Sequence, residues 1–466
     1  MSKTHRNNLK YINNVFIIFI VSLFITNNFL FSQTQKLNKD EVYSKYEQIA
    51  KKIIAEANKD SLSHQRLSIL CDSFGHRLSG SESLENAIDW IYDEMKKDGF
   101  LNVKKEEVYV PNWKRGTESL MMTSPKHKHI KILSLGGSVA TPENGIKSEV
   151  FVVNSKDELF ANKDKAKGKI VLFNVKFTNY GATVQYRFNG ATWASQCGAV
   201  ASLIRSVSPN DMNNPHTGVM GYVDSVAKIP HGAITSEDAE LIERYIKRGV
   251  KVELALKMTA KFEEDALSHN VMGEIKGREF PNKIIAVGGH IDSWDVGTGA
   301  QDDAGGVVAT WEAVKLLKRL GLTPRHTIRA VGWTNEENGS KGGKEYANVH
   351  KDEEHILLLE SDSGIFKPAS IGVTGKDKDL ELMQSIEKLL KLTNPEFEVK
   401  KGGGGVDIGP MMEIGYTGCG FDTDDMGTYF WYHHSETDTS DKINPKDMND
   451  CVAAIAIAIY FYSELY

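Results

Sequence analysis

The sequence predicts an α/β fold in which a mixed central sheet is covered by helices on both faces and carries an inserted β-rich domain. Two observations lead to this prediction. Strand-like and helix-like segments alternate through the later part of the chain, which is typical of a sheet with helices packed on both sides. Residues 125–265 contain mostly short β-rich runs instead, as expected of a self-contained unit. At roughly 100–200 residues per domain, a chain of 466 residues has room for both.

The first 32 residues have the layout of a secretory signal peptide. Three cations precede an apolar run over residues 15–24, and the small Ser32 stands directly before polar residues. A membrane anchor is the alternative, but two asparagines interrupt the apolar stretch, which is shorter than the roughly 20 residues of a spanning helix. We therefore expect export with cleavage, a secreted or periplasmic location, and no stable membrane insertion afterwards.

Periodicity predicts the elements outside the insert one by one. A charged helix is expected over residues 39–58, and residues 83–97 place their apolar side chains on one helical face. A helix over residues 304–320 is expected to start after Asp303 as its N-cap and to end at Gly321. The other predicted strands are 283–288, 327–333 and 355–361, and the other predicted helices are 341–350, 379–392 and 447–462.

The inserted domain is predicted to contain one helix among short strands. Thr235 and Asp238 form a capping-box pattern that starts this helix, which spans residues 236–247. The predicted strands are 130–135, 149–153, 169–173, 199–204 and 250–257. With these elements the insert covers residues 125–265, so that residues 33–124 and 266–466 together would form the main domain.

Charge and cysteine usage limit the classes of partner. The net charge is −6, and it becomes about −9 when the leader, with three cations and no acids, is removed. Nucleic acid is therefore not an expected partner. The four cysteines lie far apart and form no CxxC pair, so a thiolate zinc site is not expected. In an oxidising compartment they can pair in three complete ways, among which the sequence does not choose.

The strongest chemical signal follows the predicted strand 283–288. Here Gly289-His290-Ile291-Asp292 is followed by Gln301-Asp302-Asp303, among glycines that let the chain turn tightly. A His and several carboxylates after a buried strand can converge on a cation. A His-x-Asp pair alone is more often structural, so the remaining clusters decide between the two interpretations.

Other predicted strands end in ligands of the same kind. These are Glu336 and Glu337 after strand 327–333, Asp362 after strand 355–361, and His433 and His434 after an aromatic run. A mixture of imidazole and carboxylate suits zinc, whereas calcium or magnesium favours oxygen ligands alone. One metal with three protein ligands would leave at least two of these groups unused. Two metals that share a bridging carboxylate would use all of them.

Taken in order, these motifs resemble those of the co-catalytic dizinc exopeptidases, a family that includes bacterial aminopeptidases and glutamate carboxypeptidases. The resemblance covers essentially all of the chain after the leader, including the motif at residues 74–81. It implies the zinc exopeptidase fold and two Zn²⁺ ions as cofactors. Residues 168–172 are similar to the protease-associated domain that such enzymes carry as an insert.

The resemblance also implies a role for each site residue. The implied metal ligands are His290 and Asp362 for one ion, Glu337 and His434 for the other, and Asp302 as the bridge. Glu336 would be the general base, and Asp292 would orient His290 without touching the metal. The peptide bond after Asp302 would be cis. The candidate contacts to the substrate or its oxyanion are Tyr432, Tyr429 and His433, the last standing where some relatives have Tyr.

The implied activity is hydrolysis of dipeptides or short peptides by carboxypeptidase or dipeptidase action. Aminopeptidase action is the close alternative, because the same metals can anchor a substrate from either end. A pocket for a free carboxylate needs an Arg or Lys, which the sequence does not single out. A non-catalytic binding protein would normally have lost ligands, and the insert argues against a one-zinc acyltransferase of the glutaminyl cyclase type. A homodimer is implied by the resemblance alone.

Overall fold

The computed structural model describes residues 38–59 and 61–466, so the predicted signal peptide lies outside the described residues. In this part of the chain the strands form two eight-stranded sheets and a two-stranded ribbon. The strands are β1 (Leu101–Val110), β2 (Trp113–Lys114), β3 (Glu118–Ser124), β4 (Lys128–Ile130), β5 (Ile132–Ser134), β6 (Ile146–Val153), β7 (Ile170–Phe173), β8 (Ala201–Arg205), β9 (His231–Ile234), β10 (Glu253–Met258), β11 (Lys261–Phe262), β12 (Ala266–Ile275), β13 (Phe280–His290), β14 (His326–Trp333), β15 (Glu354–Glu360), β16 (Lys367–Thr374), β17 (Glu398–Lys401) and β18 (Gly418–Asp424). The helices are α1 (Lys39–Ala57), α2 (Leu62–Phe74), α3 (Glu82–Lys97), α4 (Lys156–Ala161), α5 (Lys163–Ala166), α6 (Tyr180–Gln196), α7 (Ser236–Lys247), α8 (Gly305–Arg319), α9 (Lys341–His350), α10 (Asp377–Ser385), α11 (Glu387–Leu390), α12 (Gly409–Glu413), α13 (Tyr429–Tyr432) and α14 (Pro445–Leu465).

The central sheet is mixed, as predicted. Its strand order is β1-β12-β14-β13-β15-β18-β16-β17. The middle pairs, β14 with β13, β13 with β15 and β15 with β18, are parallel. The pairs β1 with β12, β12 with β14 and β16 with β18 are antiparallel. Because β13, β14 and β15 run in the same direction, their carboxyl ends meet at one edge, where the loops that follow them converge.

Helices cover both faces of this sheet. On β13, Ile285 and Val287 pack into one core with α8 and α14, whereas Ala286 packs into a second core with α9 and α12. This alternation is what a strand buried on both faces requires. Helix α14 is long and apolar enough to cross a membrane by length and composition. However, 89% of its apolar window is buried inside the protein, which makes it the core helix that the sequence predicts.

Most predicted elements of the main domain are confirmed within a few residues, with two differences. The helix predicted over residues 379–392 is divided into α10 and α11. Helix α8 has Ala304, not Asp303, as its N-cap, because a π-helical turn with non-helical angles at Asp303 precedes it. The Asp303 carboxylate still accepts a hydrogen bond from the N–H of Gly306 at 3.0 Å. In the insert, α7 has the predicted bounds and is capped by Thr235.

The second sheet has the strand order β4-β3-β10-β6-β7-β8-β9-β5. It begins with β3 at Glu118, before the predicted boundary at residue 125. The prediction of a single helix in this region was wrong, since α4, α5 and α6 are also present. Asn179 caps α6, but its buried face consists of small and polar residues such as Thr183 and Gly190. Hydrophobic periodicity therefore does not reveal this helix.

The cysteines form no disulfide within residues 38–59 and 61–466. All four, Cys71, Cys197, Cys419 and Cys451, are free and buried. Each packs as a small hydrophobic residue.

A buried ion cluster joins α2 and α8 to the end of α3. Arg66 contacts Asp98 at 2.8 Å and Glu312 at 2.6 Å, and its guanidinium carbon lies 3.9 Å from the ring centroid of Trp311. Lys315 also contacts Asp98, at 3.0 Å. The Arg66 side chain is only 10% exposed, so its removal would leave buried carboxylates without their main counter-charge.

A second cluster fixes α9 against β1. Nε2 of the buried His350 lies 2.9 Å from Oε1 of Glu106, and its Nδ1 lies 3.0 Å from Oε2 of Glu353. Burial alone would lower the pKa of His350, but the two carboxylates outweigh it and raise the pKa above its usual 6.5. The protonated imidazole therefore stabilises this contact.

Candidate metal centre

The predicted ligands lie together at the carboxyl edge of the central sheet. His290 is the last residue of β13, Glu337 follows β14, and Asp362 follows β15. Asp302 lies in the π-helical turn after β13, and His434 follows the short helix α13. Parallel strands thus supply three of these side chains, and two loops supply the others.

Asp302 lies at the centre of the group. Its Oδ1 is 3.1 Å from Nε2 of His290, and its Oδ2 is 3.1 Å from Nε2 of His434. Nε2 of His290 is also 3.5 Å from Oδ1 of Asp362, and Nε2 of His434 is 2.9 Å from Oε2 of Glu337. The ligand atoms therefore form two sets, one on each side of the Asp302 carboxylate.

Oε1 of Glu337 is buried without a hydrogen bond. Oδ2 of Asp302 is also buried, and it forms an ion pair with Nε2 of His434 at 3.1 Å. A buried carboxylate oxygen without a partner is costly unless a cation or a proton compensates its charge. Imidazole nitrogen together with carboxylate oxygen is a donor set that suits zinc. The residues present therefore fit a site for divalent cations.

The charged groups of the centre perturb one another strongly. Burial acts to raise the pKa of Asp302, but His290 and His434 outweigh it and hold that pKa well below its usual value. Burial and the Asp302 carboxylate raise the pKa of Glu337 to about 7. Burial acts to lower the pKa of His434, but the neighbouring carboxylates raise it to about 9. Binding of a cation among these groups would displace the protons that they hold.

Asp303 lies beside the predicted ligands, but its carboxylate is occupied by the main chain. A carboxylate oxygen of Asp303 lies within 4.8 Å of the ligand atoms of His290 and Asp362. Its Oδ2 accepts a hydrogen bond from the N–H of His290 at 3.1 Å, and its Oδ1 accepts one from Gly306. The peptide bond between Asp302 and Asp303 is cis, as the family resemblance implies. Through its two hydrogen bonds to main-chain N–H groups, Asp303 holds the end of β13 against the start of α8.

His433 also reaches the group. Its ring stacks on that of His434 with centroids 3.5 Å apart, and its Nε2 lies 3.5 Å from Oδ2 of Asp302. Burial and the neighbouring His434 lower the pKa of His433 well below 6.5, so this imidazole is neutral at physiological pH. His433 therefore presents an uncharged ring beside the predicted ligand.

Asp292 supports the two glutamates with its side chain and His290 with its main chain. Its Oδ1 and Oδ2 accept hydrogen bonds from the N–H groups of Glu336 and Glu337, at 3.0 and 3.3 Å. Nδ1 of His290 lies 2.9 Å from the Asp292 carbonyl oxygen but 3.7 Å from its carboxylate. The sequence predicts that Asp292 orients the His290 ring, and in the structure the group of Asp292 that faces this ring is its main-chain carbonyl.

Glu336 differs from its neighbours in having an unengaged carboxylate. In the part of the chain that the structure describes, its hydrogen bond to Asp292 uses the main-chain N–H, and no hydrogen bond or ion pair involves its side chain. Burial, together with Asp362 and Glu337, raises the pKa of Glu336 well above 4.5. This carboxylate binds a proton readily and is not tied to a protein partner.

A cavity of about 1000 Å³ opens onto the centre. Its walls contain the candidate side chains Asp302, Glu336, Glu337, Asp362, His433 and His434. Tyr429 also lines it, and burial and nearby carboxylates raise the pKa of Tyr429 well above 10, so the hydroxyl keeps its proton. Tyr432 is not among the residues that line this cavity.

The sequence does not single out Arg187, which lines the same cavity from α6. Arg187 is 3% exposed, and its Nη2 donates to the hydroxyl of Tyr180 at 2.8 Å. Its Nη1 lies 3.3 Å from Nδ1 of His434, and its Nε is buried without a hydrogen-bond partner. Arg187 lies in the helix that periodicity misses, and no local motif marks it.

Two further supports of the metal centre are also absent from the predicted set. Oδ2 of the buried Asp438 accepts a hydrogen bond from the N–H of Asp302 at 3.2 Å. The fully buried Arg77 donates to the carbonyl oxygens of Ile291 at 2.7 Å and Thr298 at 2.6 Å. Both hold the loops that carry ligands. The only signals for them are that Arg77 lies in the motif at residues 74–81 and that Asp438 closely follows His434.

Comparison with known proteins gives matches over most of the chain. The model of peptidase family M28 matches residues 270–459. Carboxypeptidase Q of Mus musculus is 41% identical over 464 residues, which cover 97% of this chain and 98% of the mouse protein. The motifs described above predict a likeness to carboxypeptidase Q as well, and this prediction is confirmed.

Solved structures agree with this result. A peptidase M28 precursor from Shewanella amazonensis is 32% identical with a TM-score of 0.86, and the alignment covers 91% of this chain and 97% of that chain. A zinc aminopeptidase from Bacillus subtilis has a TM-score of 0.65 at 20% identity, covering 87% of this chain and 97% of that one. At such low identity the second likeness concerns the fold alone.

Proposed function

The chain belongs to peptidase family M28, and on that premise we propose that it is a zinc-dependent exopeptidase that cleaves dipeptides or short peptides by carboxypeptidase or dipeptidase action. One observation carries the proposal. Imidazole and carboxylate ligands converge at the edge of the central sheet around Asp302, and Oε1 of Glu337 is buried among them without a hydrogen bond. The relatives named carboxypeptidase Q, which match nearly the whole chain, support the carboxypeptidase class.

The proposed centre holds two zinc ions. His290 and Asp362 would hold one, Glu337 and His434 would hold the other, and Asp302 would bridge them. Zinc supplies Lewis acidity, which favours deprotonation of water and stabilises negative charge on a carbonyl oxygen. The two sets of ligand atoms on either side of Asp302 support this division.

Glu336 acts as the general base in this proposal. Its carboxylate is free of the ligand contacts, so it can accept a proton from the attacking water. Glu336 can then pass that proton to the leaving amine. Tyr429 and His433 line the cavity and each can donate a hydrogen bond to the substrate. Tyr432 lies outside the lining, and we give it no role.

Arg187 supports the choice of a substrate with a free C-terminal carboxylate. It is the buried guanidinium at the cavity wall, and its Nε has an unused donor. A planar guanidinium matches the geometry of a carboxylate. Aminopeptidase action would need an anchor for a free amine instead, and the cavity carboxylates other than the proposed ligands and base are engaged. Asp422 pairs with Lys400 at 3.0 Å, and Asp425 accepts main-chain N–H groups.

We assign the second sheet to a protease-associated domain and the leader to a signal peptide. The first assignment is supported by the eight strands of the second sheet, which all lie between Glu118 and Met258 and pair with one another. The three cations, the apolar run and the small Ser32 of the leader support an exported enzyme, secreted or periplasmic.

The test uses purified residues 33–466 and a set of matched peptides. Free dipeptides and longer peptides are compared with N-acylated and C-amidated copies, each with and without a zinc chelator, and the products are identified by mass spectrometry. Cleavage that stops with the chelator and with C-amidation alone is the result expected of a carboxypeptidase. Loss with either block, without trimming of longer peptides, indicates a dipeptidase.

Two outcomes would contradict parts of the proposal. Loss of cleavage with N-acylation alone would make the protein an aminopeptidase and would leave Arg187 without its assigned role. No cleavage of any peptide by a chain that carries two zinc ions would favour a non-catalytic binding protein on the peptidase fold.

A further inference from the structure

The two histidines of the proposed zinc centre are oriented from different parts of the protein. Nδ1 of His290 faces the carbonyl oxygen of Asp292, two residues away on the same loop, at 2.9 Å. Nδ1 of His434 faces the carbonyl oxygen of Thr217 at 3.3 Å, and Thr217 lies between β8 and β9 of the second sheet. Nη1 of Arg187 lies 3.3 Å from the same Nδ1 and donates to the same carbonyl oxygen at 3.4 Å, so the Thr217 carbonyl is the acceptor that both groups share. The ring nitrogen that does not bind metal usually donates to such an oxygen, which fixes the tautomer and the ring orientation.

Thr217 is bound to the His434 loop by its main chain as well. Its N–H donates to the carbonyl oxygen of His434 at 2.9 Å, so the two residues contact each other in both directions. The preceding His216 adds a parallel contact, with its Nδ1 2.6 Å from the carbonyl oxygen of His433. The connection between β8 and β9 therefore lies directly against the loop that carries the ligand, at residues 216–217.

The Thr217 side chain fixes this carbonyl in place. Its hydroxyl donates to the carbonyl oxygen of Ser134 at 2.9 Å and accepts a hydrogen bond from Nη2 of Arg115 at 3.2 Å. Arg115 also binds Ser134 and forms a two-pronged ion pair with Asp295, with its Nε 2.8 Å from Oδ2. The side chains of Arg115 and Asp295 are only 10% and 14% exposed, so this clamp is shielded from solvent.

We propose that Thr217 is a positioning residue of the zinc centre, through which the second sheet orients His434 and sets the affinity for one of the two ions. The proposal rests on the dizinc function proposed above. Under this proposal the second sheet supports the zinc site that contains His434. The zinc site that contains His290 does not depend on the second sheet. Because His290 takes its carbonyl from its own loop, the two sites should respond differently to a change at Thr217.

The experiment measures zinc binding in the full chain without its leader. Thr217→Val keeps the shape of the side chain and removes the hydroxyl, while Thr217→Ser restores it. Thr141→Val is the matched control, because among the described residues the hydrogen bonds of the buried Thr141 hydroxyl are all to the main chain of Met258, in the same sheet. Zinc affinities are measured by competition with a chromophoric chelator, and the cobalt-substituted protein is examined by absorption spectroscopy.

The expected result is a loss at one site only. In Thr217→Val one zinc ion binds about 10–100-fold more weakly and the other is unchanged, as for other groups that orient metal ligands. The cobalt spectrum changes for one ion, Thr217→Ser restores both readouts, and Thr141→Val matches the wild type. If Thr217→Val does not fold, Thr217→Ala is used with the same expectation.

Three results would overturn the proposal. One is wild-type affinity for both ions in Thr217→Val with an unchanged cobalt spectrum. Another is an equal loss at both sites, or an equal loss in Thr141→Val, which would indicate general destabilisation. Fewer than two zinc ions in the wild-type chain would refute the dizinc function itself, and that measurement is made before any variant is compared.

Discussion

Replacing Glu336 with glutamine separates turnover from metal binding. The change keeps the size of the side chain and removes its ability to take a proton. No hydrogen bond or ion pair of this side chain exists among the described residues, so the substitution breaks no contact. It also removes one negative charge from a buried group in which Asp362 and Glu337 repel it. We therefore expect the fold and the zinc content to be retained.

The expected fall in kcat depends on whether another carboxylate in the cavity can replace Glu336. General acid–base catalysis contributes typically 10²–10⁴-fold, or about 2.7–5.4 kcal/mol. No cavity carboxylate is free to replace Glu336, because Asp422 pairs with Lys400, Asp425 caps the main chain, and the others are proposed ligands. We therefore expect kcat to fall by roughly 10³–10⁴-fold, in the upper part of the range.

The assay follows hydrolysis of a free dipeptide by chromatography, with zinc measured by plasma mass spectrometry and the unfolding temperature by calorimetry. Asp422→Asn is the matched control, since it makes the same carboxyl-to-amide change in the same cavity. Its ion pair is solvent-exposed, so its kcat should stay within about threefold of the wild type. A kcat for Glu336→Gln within about tenfold of the wild type would refute the assignment of the base. Loss of zinc from this variant would show that Glu336 is a ligand.

Three further predictions concern the metal, the core and pH. Asp302→Asn should lose most of both zinc ions, because the bridging carboxylate contacts both sets of ligands; plasma mass spectrometry that finds two ions per chain would contradict this. Arg66→Met should lower the free energy of unfolding by about 3 kcal/mol, because buried carboxylates lose their main counter-charge; urea unfolding checks it, and a change below about 1 kcal/mol would contradict it. The raised pKa of His350 gives stability that is fully present below about pH 6.5 and is lost as pH rises through the folded-state pKa. His350→Gln should therefore lower the unfolding temperature more at about pH 6 than at about pH 9, and an equal shift at both would count against the protonated contact.

The fold was predictable wherever hydrophobic periodicity determines an element. The central parts of β13 and β15, residues 284–287 and 356–359, are continuous apolar runs. Helix α7 has the predicted bounds because its apolar positions and the Thr235 cap specify it, and α9 also has the predicted bounds. Helix α6 was not predictable in this way. Its buried face contains Thr183, Arg187 and Gly190, which pack by size and by hydrogen bonding and leave no apolar stripe. The start of the second sheet at Glu118 depends on pairing with β10, a contact between distant segments that local sequence does not encode.

The site divides in the same way. Three of the proposed ligands, His290, Glu337 and Asp362, could be collected from the sequence because they stand at or after the ends of parallel strands, which meet at one edge. Asp302 and His434 lie in loops, and only their motifs marked them. The residues that orient them could not be collected. Arg187 and Thr217 reach His434 from the second sheet, and Asp438 reaches Asp302 across a loop. A carbonyl such as that of Thr217 has no residue type at all, so only a structure identifies it.

The centre holds more buried negative charge than its histidines can compensate. Behind the proposed ligands, burial and the Asp362 carboxylate raise the pKa of Glu360 to about 7. The fully buried Asp407 has both carboxylate oxygens without a hydrogen bond, and burial and Glu360 raise its pKa well above 3.8. Such a group of acids opposes folding unless protons or cations bind to it. A ligand at 100 times its dissociation constant stabilises the folded state by about 2.7 kcal/mol, so bound cations can offset part of this cost. The excess of buried carboxyl groups therefore destabilises the folded chain without metal and favours the binding of cations. Metal binding is linked to folding through these additional acids as well as through the proposed ligands.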